Sequence, residues 1–170
     1  MTLTLLLVAV MALTRAADAA KQTEAEEVNV VEKRGWLCSS GWTWYDWRCF
    51  RFVPRPLTWS DAEENCRSMK AHLASVNSAE EYHHIQKMIA DQTHNYPKTW
   101  LGGTDSKQER RWLWADGSRF LFKYWCHRQP NNLGNQDCLV MNFSGKKCWD
   151  DQKCDNKNPS VCVKSWSLFD

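Results

Sequence analysis

The 170-residue sequence lacks several features that would place it in a common functional class. It has no run of about 20 apolar residues, the length needed to cross a membrane. It has no phosphate-binding loop and no convincing pairing of a nucleophile with a base, so we do not expect an enzyme. Its 22 Lys and Arg and 20 Asp and Glu are spread without long blocks of one sign, so nothing indicates a nucleic-acid partner.

The first 34 residues predict export and processing rather than a packed structure. Residues 1–20 contain a short apolar run followed by small residues, the pattern of a signal peptide, although no Lys or Arg precedes the run. Residues 21–34 are polar and acidic and end in the pair Lys33-Arg34, which indicates either a cleaved propeptide or a flexible tail. We therefore expect a secreted, extracellular protein with one domain over residues 35–170.

Eight cysteines follow the predicted cleavage point, an even number in a chain expected to be exported, and they predict disulfides. Their spacing alone leaves the pairing open, because eight cysteines can pair in many ways. A zinc site is a weaker interpretation, since no close pair of cysteines has a matching partner pair. The eight are Cys38, Cys49, Cys66, Cys126, Cys138, Cys148, Cys154 and Cys162.

Hydrophobic periodicity and capping residues predict two helices. The first is expected over residues 60–69, after an N-cap at Thr58. The second follows a capping box that begins at Ser78, and its pattern ends before Pro97. Because short strand-like runs follow the helices with little room for crossover helices, the order favours an α+β fold over a parallel doubly wound sheet.

Short apolar or aromatic runs separated by Gly, Asn, Asp and Pro predict strands and long loops. An aromatic-rich stretch over residues 36–52, with a turn signal at 39–41, predicts further strands near the start of the domain. Asn142 begins an N-glycosylation sequon inside one of the runs, which leaves its accessibility open. The runs cover residues 100–101, 112–114, 120–125, 138–143 and 160–164.

An ordered series of motifs between Cys38 and Lys164 resembles the C-type lectin-like domain in its long form. The resemblance implies an α+β fold in which two helices pack on short, mostly antiparallel strands with a long irregular loop. Within the family the chain is similar to fish secreted lectins, which are related to type II antifreeze proteins. The matching motifs include Thr58-Trp59, His72-Leu73-Ala74-Ser75-Val76, Trp100-Leu101-Gly102-Gly103, Trp112-Leu113-Trp114, Gln129-Pro130-Asn131, Trp149-Asp150-Asp151 and Ser160-Val161-Cys162.

The resemblance also implies a disulfide pairing. It pairs Cys38 with Cys49, Cys66 with Cys162 and Cys138 with Cys154, and it leaves Cys126 and Cys148 as the fourth pair. Each bridge is expected to stabilise the fold by about 2 to 4 kcal/mol, because it restricts the unfolded chain. Such bridges suit a small core with long loops.

In sugar-binding members of the family, carboxylates and amides on the long loop and the next strand hold calcium, which generally takes about 6 to 8 oxygen ligands. Gln136 stands where the family usually has Glu, and Asp150 where it usually has Asn. The alternative interpretation is that these polar residues serve ordinary turn chemistry. The resemblance implies a cis peptide bond before Pro130 and the metal ligands Gln129, Asn131, Gln136, Asp137, Asp150 and Asp151.

The same resemblance implies that Gln129, Asn131, Gln136 and Asp150 bind two neighbouring sugar hydroxyls. The family links Glu-Pro-Asn to mannose-type sugars and Gln-Pro-Asp to galactose-type sugars, and the Gln-Pro-Asn of this chain is a hybrid of the two. Leu133 lies where galactose sites tend to place an aromatic side chain, which counts against strong galactose binding.

We therefore expect a calcium-dependent lectin that binds galactose- or mannose-type glycans on microbial surfaces in innate defence. One shallow site binds weakly, so a homo-oligomer would add avidity, although the sequence has no collagen-like or coiled-coil segment. Two alternatives stay open. A type II antifreeze-like ice-binding protein would carry a fifth bridge at the position of Asp137, and a calcium-free protein-binding module would be compatible with Gln136.

Overall fold

The computed structural model describes residues 38–165, and the chain divides into two units between Ser40 and Gly41. The first unit contributes residues 38–40, and the second contains all the helices and strands given below. The predicted signal peptide and the predicted propeptide or tail lie outside the described residues. Within the part of the chain that the structure describes, no helix is long and apolar enough to cross a membrane.

Two helices and eight strands form the described fold. The helices are α1 (Trp59–Ser68) and α2 (Ala79–Thr93), both close to their predicted positions. The strands are β1 (Thr43–Tyr45), β2 (Arg48–Leu57), β3 (His72–Leu73), β4 (Thr99–Thr104), β5 (Leu113–Trp114), β6 (Cys138–Phe143), β7 (Cys148–Gln152) and β8 (Asn158–Ser165).

The strands make one sheet in the order β1-β2-β8-β4-β6-β7, with β3 paired to β8 and β5 paired to β4. All pairs between named strands are antiparallel except β4 with β8, where Trp100 lies opposite Ser160. The last strand therefore lies between strands from the beginning and the middle of the chain. Two helices with a mostly antiparallel sheet confirm the predicted α+β fold.

The start of helix α2 shows how local sequence signals become long-range contacts. The Ser78 hydroxyl accepts a hydrogen bond from the Glu81 amide at 3.1 Å, as expected of an N-cap. The Glu81 carboxylate accepts from the Asn77 amide at 2.7 Å and from the Arg48 guanidinium of β2 at 2.5 Å. The helix terminus is thus fixed to the sheet by a charged pair.

The core consists of two buried clusters. One contains Trp149 and the inner face of α2, and the other contains Trp100 and the inner face of α1. Both tryptophans are fully buried. Burying a large apolar side chain contributes roughly 1.5 to 3 kcal/mol, so these residues are major sources of stability.

Disulfides tie the layers together. Cys66–Cys162 joins α1 to β8, Cys126–Cys148 joins the long loop to β7, and Cys138–Cys154 joins β6 to the turn after β7. These are pairings that the resemblance implies. Cys38 and Cys49 are also disulfide-bonded, so none of the eight cysteines is free.

One predicted strand is wrong. Residues 120–124 form no strand, and Trp125 makes a single bridge to Trp149. The aromatic side chains in this stretch pack on the indole of Trp149, with ring centroids 6.0 Å away for Phe120 and 5.5 Å away for Phe122. The aromatic content that predicted a strand therefore serves packing of the long loop instead.

Candidate functional site

The carboxylate of Asp151 anchors the long loop between β5 and β6. Asp151 is fully buried on β7, and each of its oxygens accepts from the Asn131 amide at 3.0 Å. One oxygen also accepts from the Asn132 amide at 2.5 Å. The Gln129-Pro130 bond just before these amides is cis, as the resemblance implies. A buried charge on one strand thus fixes the backbone of the loop that carries the other candidate ligands.

Several predicted ligands also take part in hydrogen bonds within the loop itself. These contacts agree with the alternative in which the polar residues serve turn chemistry. They also hold the loop in one shape, which a binding site requires. Three side chains form them: Asn131 Oδ1 accepts from the Leu133 amide at 2.8 Å, Asn132 Oδ1 from the Gln136 amide at 2.7 Å, and Asp137 Oδ2 from Asn135 Nδ2 at 2.9 Å.

Gln129 differs from its neighbours in the loop. Its side-chain oxygen is buried and has no hydrogen-bond partner within the described residues. Buried polar atoms are nearly always paired, so an unpaired amide oxygen in the long loop fits a bound cation or an ordered water. Amide oxygens are among the ligands that calcium takes, and Gln129 is therefore compatible with the predicted calcium site.

The structure adds two acidic residues that the sequence analysis missed, Asp105 and Glu109. Asp105 follows β4 directly and is buried; one of its oxygens accepts from the Arg110 amide at 2.8 Å, and the other has no partner among residues 38–165. Glu109 accepts from Asn132 Nδ2 at 2.8 Å, and the Asp105 amide donates to the Asp137 carbonyl at 3.2 Å. These contacts place a group of acids at the base of the long loop.

The electrostatics of this group favour a cation. Burial raises the pKa of Asp105, and the negative charges of Glu109 and Asp137 raise it further. A bound cation would remove that repulsion and would satisfy the unpaired oxygen of Asp105. The spacing of two acids four residues apart, directly after a buried strand, is the sequence signal that could have identified them.

Asp150 lies differently from Asp151. Successive strand residues point to opposite faces, so the two carboxylates leave β7 in opposite directions. Burial raises the pKa of Asp150 to about 6, the charge of Asp151 adds to this, and Lys98 partly offsets it. Asp150 does not line the groove described next, so its predicted roles in calcium and sugar binding stay predictions.

A groove of about 540 Å³ lies beside the long loop, and we call it the loop groove. Loop residues, acids, bases and half-buried aromatic side chains all contribute to its walls. Among residues 38–165, no three His, Cys, Asp or Glu side chains are close enough to hold a metal by themselves. A calcium site here would therefore combine carboxylates with amide oxygens. The groove is lined by Asp105, Glu109, Arg110, Arg111, Trp112, Phe120, Lys123, Trp125, Pro130, Asn131, Asn132 and Asp151.

The fold and the braced long loop define a disulfide-bonded α+β domain of the lectin-like class. Residues 55–164 match the family model described as the lectin C-type domain. The chain therefore belongs to the C-type lectin domain family, which confirms the resemblance seen in the sequence.

Relatives within this family include both lectins and ice-structuring proteins. Ladderlectin of Oncorhynchus mykiss is 40% identical over 81% of this chain and 72% of its own length. A type-2 ice-structuring protein of Brachyopsis segaliensis is 36% identical over 97% of this chain and 98% of its own. The galactose-specific lectin nattectin of Thalassophryne nattereri is 33% identical over 81% of this chain and 86% of its own.

Solved structures of similar fold include two that differ in their need for calcium. A Ca²⁺-dependent type II antifreeze protein, in its Ca²⁺-free form, superposes with a TM-score of 0.71 at 37% identity, covering 75% of this chain and all of that one. A calcium-independent type II antifreeze protein gives a TM-score of 0.70 at 34% identity, covering 76% of this chain and 95% of that one. The shared fold is thus compatible with either state.

Proposed function

We propose that the protein is an exported, calcium-dependent lectin whose binding site is the long loop together with β7. The observation that carries this proposal is a pair of buried oxygens without hydrogen-bond partners in the described residues, Gln129 Oε1 and Asp105 Oδ1. Asp105 lines the loop groove, and Gln129 is followed directly by Pro130 and Asn131, which also line it. Unpaired buried acceptors are costly, so a cation that satisfies them explains why they persist.

The chain's own residues supply the ligands in this proposal. Calcium, when bound, supplies a positive centre that neighbouring sugar hydroxyls can approach. The carboxylate of Asp151 keeps the loop backbone in place, because it already accepts from two loop amides. The amide side chains that would hold the ion are Gln129, Asn131 and Gln136 from the prediction. Because no three acidic side chains within residues 38–165 lie close enough to share one ion, at most two carboxylates would join them, from Asp137 and Asp151 of the prediction or Asp105 and Glu109 of the groove.

Galactose-type glycans are the first ligands to test, with mannose-type glycans second. The related lectin nattectin is named as galactose-specific. Leu133 is exposed and offers no aromatic face, but Trp112, Phe120 and Trp125, which come earlier in the sequence, line the loop groove. Aromatic rings pack well against apolar faces, which supports a role for these residues beside a bound sugar. Recognition of microbial glycans in innate defence is the physiological role that we propose.

The test is binding of the oxidised protein to immobilised galactose and mannose in calcium, followed by elution with a chelator. We expect retention in calcium and release when the ion is removed. The variant Asp151→Asn should lose retention, whereas Asp155→Asn makes the same charge change on an exposed turn residue and should keep it. Equal retention with and without calcium, or no retention on any sugar, would reject the proposal.

Ice binding is a second candidate, because the type-2 ice-structuring protein matches almost the whole chain. A nanolitre measurement of thermal hysteresis, with and without calcium, tests it directly. A freezing gap that grows with protein concentration would establish ice binding. Growth of ice at its ordinary melting point would leave the lectin proposal as the account of the site.

A further inference from the structure

Three basic side chains line the loop groove without a carboxylate partner. Arg110, Arg111 and Lys123 are all exposed, and none forms an ion pair within residues 38–165. Within these residues, the guanidinium of Arg111 donates to the neutral Gln108 oxygen at 3.3 Å. Their positive charges are therefore available to a ligand.

The acidic side chains of the same groove accept hydrogen bonds from amide groups and not from these three basic side chains. The carboxylate of Asp151 accepts from loop amides, that of Glu109 from Asn132 Nδ2, and one oxygen of Asp105 from the Arg110 amide. None of these bonds uses a basic side chain. If a divalent cation joins the acids, as the proposed function requires, the remaining charge in the groove is positive.

We propose that the loop groove binds an acidic substituent of the glycan, a sulfate, phosphate or carboxylate on the sugar next to the one held at calcium. This inference rests on the proposed function and specifies its ligand. Arginine guanidinium groups suit such groups because they donate in pairs to the oxygens of carboxylate and phosphate. The volume of about 540 Å³ falls within the range of small-molecule sites, which leaves room for a second sugar unit.

The aromatic side chains of the groove complete the site. Trp112 and Trp125 lie with ring centroids 4.7 Å apart, and Phe120 is 6.1 Å from Trp112. This packed group lines the same groove as the three cations and offers an apolar face there. A sugar ring with one acidic substituent presents the matching combination of an apolar face and a localised negative charge.

A second basic hollow, of about 520 Å³, provides a contrast. Its Arg48 is already bound to Glu81 at 2.5 Å and lies 3.6 Å from Asp116. The charge of that arginine is therefore satisfied within the protein. The loop groove differs because its two arginines form no ion pair within residues 38–165 and lie beside the proposed sugar site.

Calorimetry in calcium tests the proposal by comparing one neutral galactoside with the same sugar carrying a sulfate, a phosphate or a carboxylate. The readout is the ratio of the acidic to the neutral affinity. We expect at least one acidic sugar to bind about ten-fold tighter, which is the scale of one charge-assisted hydrogen bond. That ratio should fall as salt rises, because exposed charges are screened.

Two triple variants with equal charge changes locate the effect. Arg110→Gln, Arg111→Gln, Lys123→Gln should bring the ratio close to one, whereas the exposed residues in Arg55→Gln, Arg67→Gln, Lys107→Gln should leave it as in the wild type. A wild-type ratio of one, or a preference kept by the groove variant, overturns this inference alone. If no neutral or acidic sugar binds, the proposed function fails and the inference fails with it.

Discussion

The two oxygens of Asp151 lie at equal distances, 3.0 Å, from the amide nitrogen of Asn131. This contact joins a strand residue to a loop residue 20 positions away. A single buried carboxylate therefore sets the position of the loop on which the proposed binding chemistry depends.

Replacing Asp151 should loosen the loop and destabilise the fold. Asp151→Asn removes the charge from bonds to two loop amides, and hydrogen bonds to charged groups contribute about 1.5 to 3 kcal/mol. The free energy of unfolding in urea, measured without calcium, should fall by about that amount. The exposed control Asp155→Asn should change it by less than about 0.5 kcal/mol. Equal effects of the two variants would contradict the anchoring role.

The Arg48–Glu81 pair should matter far more than an exposed ion pair. Its side chains are 15% and 4% exposed, so Arg48→Met would leave a buried carboxylate with one partner fewer, at a cost of about 3 kcal/mol. Lys87→Met breaks a pair that is 73% and 61% exposed and should cost less than about 1 kcal/mol. Urea unfolding of both variants measures the difference. Similar losses in the free energy of unfolding would contradict a larger contribution of the Arg48–Glu81 pair.

Asp150 should make the calcium-free protein less stable as pH rises. Its pKa of about 6 in the folded state exceeds the ordinary value of 3.8, so the unfolded chain loses this proton first. The folded state therefore loses stability between about pH 4 and pH 6 and stays lower above that range. The variant Asp150→Asn should flatten this part of the profile. Urea unfolding at several pH values in a chelator measures the difference between the two proteins, and parallel profiles would contradict it.

The sequon at Asn142 should remain unmodified in the folded protein. Its side chain is 5% exposed, donates to the Pro97 carbonyl at 3.1 Å and accepts from Gln86 Nε2 at 3.0 Å. A glycan cannot occupy that buried position without breaking both bonds. Intact-mass spectrometry of protein from a glycosylating host should give the mass of the unmodified chain. A glycan at Asn142 would contradict the packing described here.

The helices could be predicted because their signals are local. Ser78 caps α2 within one turn, and the apolar residues recur with the helical period, so no distant information is needed. The strand predicted over residues 120–125 was wrong, because aromatic content predicts burial but does not show which residues the rings pack against. Its rings cover Trp149, a residue far along the chain, and only the fold brings them together.

The site was predicted in part for a similar reason. Asp151 and the loop residues were found through motifs that the family resemblance supplied. Asp105 and Glu109 were missed because their link to the site is a contact with Asn132 and Asp137, more than 20 residues away. The basic side chains of the loop groove were also invisible to sequence analysis, since scattered Arg and Lys residues form a patch only after folding.

The most direct test of the calcium account uses Gln129→Met, which keeps the shape of the side chain and removes its unpaired oxygen. Without calcium this variant should be more stable than the wild type by about 1 kcal/mol, because a buried unpaired acceptor is lost. Gln86→Met is the matched control and should be less stable, since its amide is bonded to Asn142 and Lys147.

Calcium titration of the same proteins by calorimetry decides the central claim. The account predicts that the wild type binds calcium saturably and that Gln129→Met binds it roughly ten-fold more weakly or not at all, because one oxygen ligand is gone. Gln86→Met should bind like the wild type. No calcium binding by the wild type, or equal affinity in Gln129→Met, would contradict the account.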